Sequence, residues 1–177
     1  RFAIQQEDGS FLMEDLLPGP EGDNKREEEL GALFFDADKD GDDDLYLVSG
    51  GYEFKGEDPS YQDRFFRNDG GKFSLVKEAL PAFLSSGSAV KAADYDGDGD
   101  LDLFVGGRVK PFHYPIPVSS YLLKNESEEG SIKFSIDEEA APMLKDMGLV
   151  CDALWTDFDN NGTFDLLLAG EWMPLTF

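Results

Sequence analysis

Apolar positions in this chain come in short runs separated by acidic or Gly-containing turns. Two runs frame each of three places. Ala32-Leu-Phe-Phe precedes and Leu45-Tyr-Leu-Val follows the first. Ala89-Val-Lys-Ala-Ala and Leu103-Phe-Val frame the second, and Ala153-Leu-Trp-Thr and Leu166-Leu-Leu-Ala the third. Runs this short, rich in β-branched and aromatic residues, read as buried strands rather than helices. A second signal lies between them. Arg1-Phe-Ala-Ile, Asp8-Gly9 and Phe11-Leu read as strand, turn and strand, which is a hairpin. The same pattern returns at Arg64–Leu75 around Asp69-Gly70, and with a longer turn at Tyr121–Ile136 around Gly130. Leu17-Pro18, Leu80-Pro81 and Ala141-Pro142 follow the hairpins at near-constant offsets, and 75–84 and 138–147 have room for a helical turn. The polar stretch 18–30 reads as a solvated crossover.

The order is therefore strand, loop, strand, hairpin, crossover, repeated every 60 residues or so. Four antiparallel strands per repeat, arranged radially, predict an all-β fold of β-propeller blades. Residues 32–75 and 89–136 are two complete blades. Residues 1–12 are the outer hairpin of a preceding blade, and 150–177 the inner half of a following one. About three blade-equivalents fall below the roughly 4–8 of a closed ring. The expectation is a segment of a larger propeller, or self-association of two copies through their half-blades.

The turn between the first two strands of each repeat carries the chemistry. It reads Asp36-Ala-Asp38-Lys-Asp40-Gly41-Asp42-Asp-Asp44, then Asp94-Tyr-Asp96-Gly-Asp98-Gly99-Asp100-Leu-Asp102, then Asp157-Phe-Asp159-Asn-Asn161-Gly162-Thr163-Phe-Asp165. The starts lie 58 and 63 residues apart. Carboxylates at positions 1, 3 and 5 of a tight turn aim at one centre, Gly at position 6 allows the turn, and the carbonyl of position 7 joins them. Ca²⁺ takes 6–8 such hard oxygens. Position 12 is Leu47, Val105 or Leu168, so the bidentate Glu of an EF-hand is missing. The closing acid stands at position 9 instead. Up to three Ca²⁺ are expected, the weakest where Asn161 replaces Asp. A plain acidic turn is the alternative for any one copy; its threefold recurrence between strands argues against that.

Charge narrows the partners. Thirty-eight acids against 15 Lys and Arg give −23, of which three Ca²⁺ would cancel only part. Nucleic acid and anionic membrane surfaces are disfavoured, and no run is long enough to span a bilayer. The one cysteine, Cys151, lies in an apolar run and reads as buried and inert. His113, the only histidine, has no nucleophile motif near it, and no catalytic residue or organic cofactor is assigned. The loops 50–63 and 106–120 are rich in aromatics and Pro. They serve either as recognition loops or as satellite cores.

The metal loop resembles the FG-GAP/VCBS repeat of integrin α-subunit propellers. Val48-Ser-Gly-Gly51, Tyr61–Gly70, Tyr114–Tyr121 and Gly170-Glu-Trp-Met-Pro174 resemble bacterial proteins of the ASPIC/UnbV type, related to cartilage acidic protein. The ASPIC/UnbV module itself is not recognisable here. The resemblance implies a secreted, periplasmic or surface-attached Ca²⁺-binding scaffold for a protein or glycan ligand. The competing expectation is a propeller enzyme, a polysaccharide lyase or hydrolase, which would need two carboxylates flanking one bond.

Overall fold

In the computed structural model, which describes residues 2–15, 26–128 and 130–177, the apolar runs flanking each acidic turn pair with each other. Strand β3 (Glu28–Phe35) runs antiparallel to β4 (Asp44–Gly50), and β7 (Ser86–Ala93) to β8 (Asp102–Val109). Likewise β11 (Leu149–Thr156) pairs with β12 (Asp165–Glu171). The hairpins add the outer strands. β5 (Arg64–Asp69) and β6 (Lys72–Leu75) complete a sheet of order β3-β4-β5-β6; β9 (Tyr121–Asn125) and β10 (Phe134–Ile136) complete β7-β8-β9-β10. β1 (Phe2–Gln5) pairs only with β2 (Phe11–Glu14), and β11 only with β12. The fold is all-β, with antiparallel four-stranded sheets and two-stranded partial ones, the geometry of partial propeller blades.

The innermost strands start earlier than the apolar runs suggest. Glu28 and Glu29 still pair with Gly50 and Ser49 beyond an irregularity at Gly31, and Ser86 pairs with Val109 beyond irregularities around Gly87. β11 carries the matching irregularity between Val150 and Asp152. Such bulges twist a strand and re-aim its side chains.

Glycine sets how closely neighbouring sheets approach. A Cβ on Gly87 would lie 2.4 Å from the Val48 side chain, and one on Gly106 2.9 Å from that of Val150. Val48 and Val150 are fully buried in those contacts. Ser88 Oγ donates to the Val150 carbonyl at 2.6 Å, closing the second junction. Phe35, Phe65 and Phe134 form a ring cluster across the two complete sheets, with centroids 5.7–6.1 Å apart.

Two expectations need correction. Residues 76–84 form a turn and irregular chain, with Ala79 N–H bonded to the Val76 carbonyl, and no helix; of the two stretches the second alone holds a helical turn, Ala141–Leu144, with Pro142 in its first turn. Pro tolerates that position because its missing N–H would be unpaired anyway. Cys151 is exposed rather than buried. The bulge beside it removes it from the ladder, and the strand's inward alternation passes from Val150 to Ala153. The Leu17-Pro18 marker and most of the 18–30 crossover lie outside the described residues.

Candidate metal centres

All three acidic turns adopt one conformation. The first carboxylate of each accepts the N–H of the position-6 glycine: Gly41 to Asp36 at 3.1 Å, Gly99 to Asp94 at 3.1 Å, and Gly162 to Asp157 at 3.0 Å. Those glycines have φ of 95°, 94° and 89°, a region that residues with a Cβ rarely enter. The position-5 side chain then accepts the N–H of position 7: Asp40 from Asp42, Asp98 from Asp100, Asn161 from Thr163. These bonds wind the turn inward and gather carboxylates at its centre.

Three oxygens converge in each loop, all within 4.8 Å of one another. They come from Asp36, Asp38 and Asp40; from Asp94, Asp96 and Asp102; and from Asp157, Asp159 and Asp165. Two other motif acids are engaged outside their own turn. Asp42 accepts the N–H of Gly70 in the hairpin at 2.8 Å, and Asp100 pairs with Lys39 of the first loop. Thr163 lies in the third turn with its N–H on Asn161.

Position 9 does structural work as well. Asp44 is fully buried; its Oδ1 accepts the Asn68 N–H at 2.8 Å and its Oδ2 the Ala37 N–H at 3.2 Å. Asp102 is equally buried, and its Oδ1 accepts the Asn125 N–H at 2.8 Å. Burial pushes both carboxyls up to about 6, against those backbone donors. Asp165 is half-buried and accepts the Phe158 N–H at 2.8 Å.

The electrostatics leave room for a cation. Both oxygens of Asp38, and Oδ2 of Asp102, are buried without a hydrogen-bond partner. Asp38 is only 8% exposed, and burial raises its pKa, with the Asp40 charge adding to the effect. A buried carboxylate with no donor is costly. A divalent ion at the convergence point of each loop would give these oxygens a partner and offset the mutual repulsion there. The donor set is all oxygen, which suits a hard cation. Asp36, Asp38 and Asp40, then Asp94, Asp96 and Asp102, then Asp157, Asp159 and Asp165 are the residues that would hold it, the third acid coming from position 5 in the first loop and from position 9 in the other two.

Two residues outside the motif brace the first two centres. Asn68 donates its amide to the Asp43 carbonyl at 2.9 Å; Asn125 donates to the carbonyls of Ala37 at 2.9 Å and Leu101 at 3.2 Å. The signal was present in the sequence as an Asn 24 residues after Asp44 and 23 after Asp102. In Arg67-Asn68-Asp69-Gly70 that Asn reads as turn chemistry and nothing more. Among the described residues the third loop has no such brace.

At the opposite ends of β4, β8 and β12 the aromatic loops hold both buried and exposed rings. Tyr61 is buried, its hydroxyl bridging the N–H and carbonyl of Phe54. Tyr52, Phe112 and Tyr114 are about half exposed. His113 sits in the second of these loops, beside a cavity of about 710 Å³.

Residues 36–105 match the family model of an FG-GAP-like repeat. The match opens on the first acid of loop one and closes in β8, just past loop two. No curated protein matches the chain.

Proposed function

We propose that this chain, with its FG-GAP-like repeat, is a Ca²⁺-braced propeller-type interaction scaffold working outside the cytoplasm. The observation that carries the reading is Asp38. Its carboxylate is buried, makes no hydrogen bond of good geometry although the backbone N–H groups of Asp40 and Gly130 lie near it, and meets two further carboxylates at one point. An ion there links the turn to the strands on either side of it, so binding and folding are coupled. The other loops repeat the arrangement, with Asp94, Asp96 and Asp102 and with Asp157, Asp159 and Asp165 as ligands. Asn161 and Thr163 stand where the second loop has Asp98 and Asp100, so the third turn carries less negative charge around its three ligands and binds more weakly. The scaffold's loops at the far strand ends are its contact surface for a protein or glycan. The finer likeness to ASPIC/UnbV-type proteins supports a secreted, periplasmic or surface-attached location. So does the extracellular abundance of Ca²⁺, which half-exposed turns need in order to stay filled.

The test is thermal unfolding with Ca²⁺ and with chelator. At about 100-fold excess over Kd each filled site adds about 2.7 kcal/mol. Asp38→Ala gives the reading a sign that can fail. With Ca²⁺ the variant melts below the wild type, because one site is lost. With chelator it melts at or above the wild type, because a buried, unpartnered charge is gone. Identical wild-type curves in the two conditions overturn the proposal.

A further inference from the structure

We propose that the cleft at the far ends of β8 and β12 binds a carboxylate-bearing sugar, a hexuronate, either free or within an acidic glycan. This deepens the scaffold reading, on which it rests, by naming a ligand class and a site. The cleft lies a strand length from the acidic turns. Seven residues at roughly 3.3 Å each separate Asp102 from Val109. Its volume is about 400 Å³, with Tyr52, Arg108, Tyr114, Cys151 and Glu171 in its wall. That is at the small end of ligand pockets, which run from about 300 to 1,000 Å³.

Arg108 supplies the first argument. In a chain of 38 acids, the other described arginines, Arg26, Arg64 and Arg67, are each paired with a carboxylate, whereas several lysines are not. Arg108 makes no ion pair or side-chain hydrogen bond among the described residues, although it is exposed at the cleft. Its planar fork of donors matches a carboxylate. Glu171 lines the same cleft, already accepting the Tyr114 hydroxyl at 2.8 Å, with lone pairs left for sugar hydroxyls. An acid in that position, within an acidic protein, disfavours a doubly charged phosphate and tolerates a singly charged carboxylate.

The aromatic rings supply the second. Trp172 Nε1 donates to the Tyr114 hydroxyl, so Trp172, Tyr114 and Glu171 form one hydrogen-bonded chain. Trp172 is 79% exposed. Phe112, which meets Tyr52 at a ring-centroid distance of 5.2 Å, is also exposed. Both hold left-handed backbone angles, φ 56° for Trp172 and 64° for Phe112. A bulky residue is an outlier there. Two strained, exposed rings beside one cleft present flat apolar faces, which suits the C–H face of a pyranose.

The experiment titrates glucuronate, digalacturonate, glucose and glucose 6-phosphate into the full chain with Ca²⁺, following tryptophan fluorescence and the alkylation rate of Cys151. That thiol is the only one in the chain and lines the cleft, so occupancy protects it. Glucuronate should saturate at about millimolar concentration, and digalacturonate more tightly. Glucose and glucose 6-phosphate should bind at least tenfold more weakly. Arg108→Ala should abolish the preference for the uronate, and Trp172→Ala should weaken binding, both without altering the melting curve. No saturation or thiol protection by digalacturonate up to 20-fold above the about millimolar range overturns the proposal. Equal binding of glucose, equal or tighter binding of the phosphate, or an unchanged Arg108→Ala titration does so too. Ca²⁺ calorimetry on the same samples reads the metal loops separately, so failure of this site leaves a distinct signature from failure of the scaffold reading.

Discussion

The side-chain amide of Asn125, on the third strand of the second sheet, donates to the backbone carbonyl of Ala37, inside the first acidic turn of the neighbouring sheet, at 2.9 Å. The same amide reaches Leu101 of its own sheet's turn, and its backbone N–H holds Asp102. One 6%-exposed side chain therefore ties two candidate metal centres together. Neighbouring centres are coupled through protein as well as through their charges.

Asn125→Ala should cost about 1–3 kcal/mol, because it leaves two carbonyls near the core without their donor. It should weaken Ca²⁺ binding at the first and second loops together. Asn68→Ala, whose amide donates to the Asp43 carbonyl and accepts the Gly71 N–H within the same sheet, should weaken the first loop alone. Denaturant unfolding and calorimetry on both variants check this; an Asn125→Ala effect confined to one site refutes the coupling.

Lys39 carries coupling of the opposite sign. It belongs to the first turn but pairs with Asp100 of the second, and Lys124 lies 3.7 Å from Asp96. Both cations compete with a metal for the second loop. Lys39→Ala should therefore tighten Ca²⁺ there by about two- to fivefold, the scale of an exposed ion pair. The gain should fade as salt is raised. Weaker binding in the variant would mean that Lys39 organises the loop rather than opposing the ion.

Much of this was legible in the sequence, for definite reasons. The Asp spacing, the glycine at position 6 and the flanking apolar runs are local signals. They were enough to place loops between strands and to give the all-β class. What escaped depends on which sheet covers which. Its place in an apolar run assigned Cys151 to the core because nothing local marks the bulge at Val150. Asn68 and Asn125 look like ordinary hairpin residues because their partners lie up to 88 positions away. Tyr52 and Tyr61 share one loop, yet one is exposed and the other buried. Composition alone cannot tell a ring that packs under the loop from one that stays in solvent, and this loop has one of each.

The sheet junction gives a stability prediction. Gly87 meets Val48 of the neighbouring sheet so closely that an added Cβ would lie 2.4 Å from Cγ1, with the Ser49 and Gly106 carbonyls at 3.5 Å. Val48 has no room to retreat, being fully buried. Gly87→Ala should destabilise by about 1–3 kcal/mol, the usual cost of overpacking. The double variant Gly87→Ala/Val48→Ala should recover part of that loss, since the clashing methyl is removed. Equal destabilisation of the single and double variants would place the strain in the backbone instead.

Asp63 makes the last prediction, and it concerns pH. It is 4% exposed, accepts the Tyr46 hydroxyl at 2.6 Å and the Ser49 N–H at 2.7 Å, and has no cation beside it. Burial pushes its carboxyl up to about 7, more than the two donors pull it down. In the unfolded chain it titrates near 3.8. Between those values the native state holds a proton that the unfolded state has released, so stability falls as pH rises. The contribution is fully present below about pH 4 and lost above about pH 7, for a total of roughly 4 kcal/mol. Paired carboxylates elsewhere, such as Asp152 with Lys91, act in the opposite direction, so wild-type stability alone does not isolate the effect. Asp63→Asn does. Its carbonyl can accept the Ser49 N–H and its amide can donate to the Tyr46 hydroxyl, so the site keeps its geometry without a charge to bury. The stability of the variant minus that of the wild type, from urea unfolding, should increase steadily from pH 4 to pH 8 and then level off. A difference that stays flat across that window would show that Asp63 is ionised in the fold at no cost.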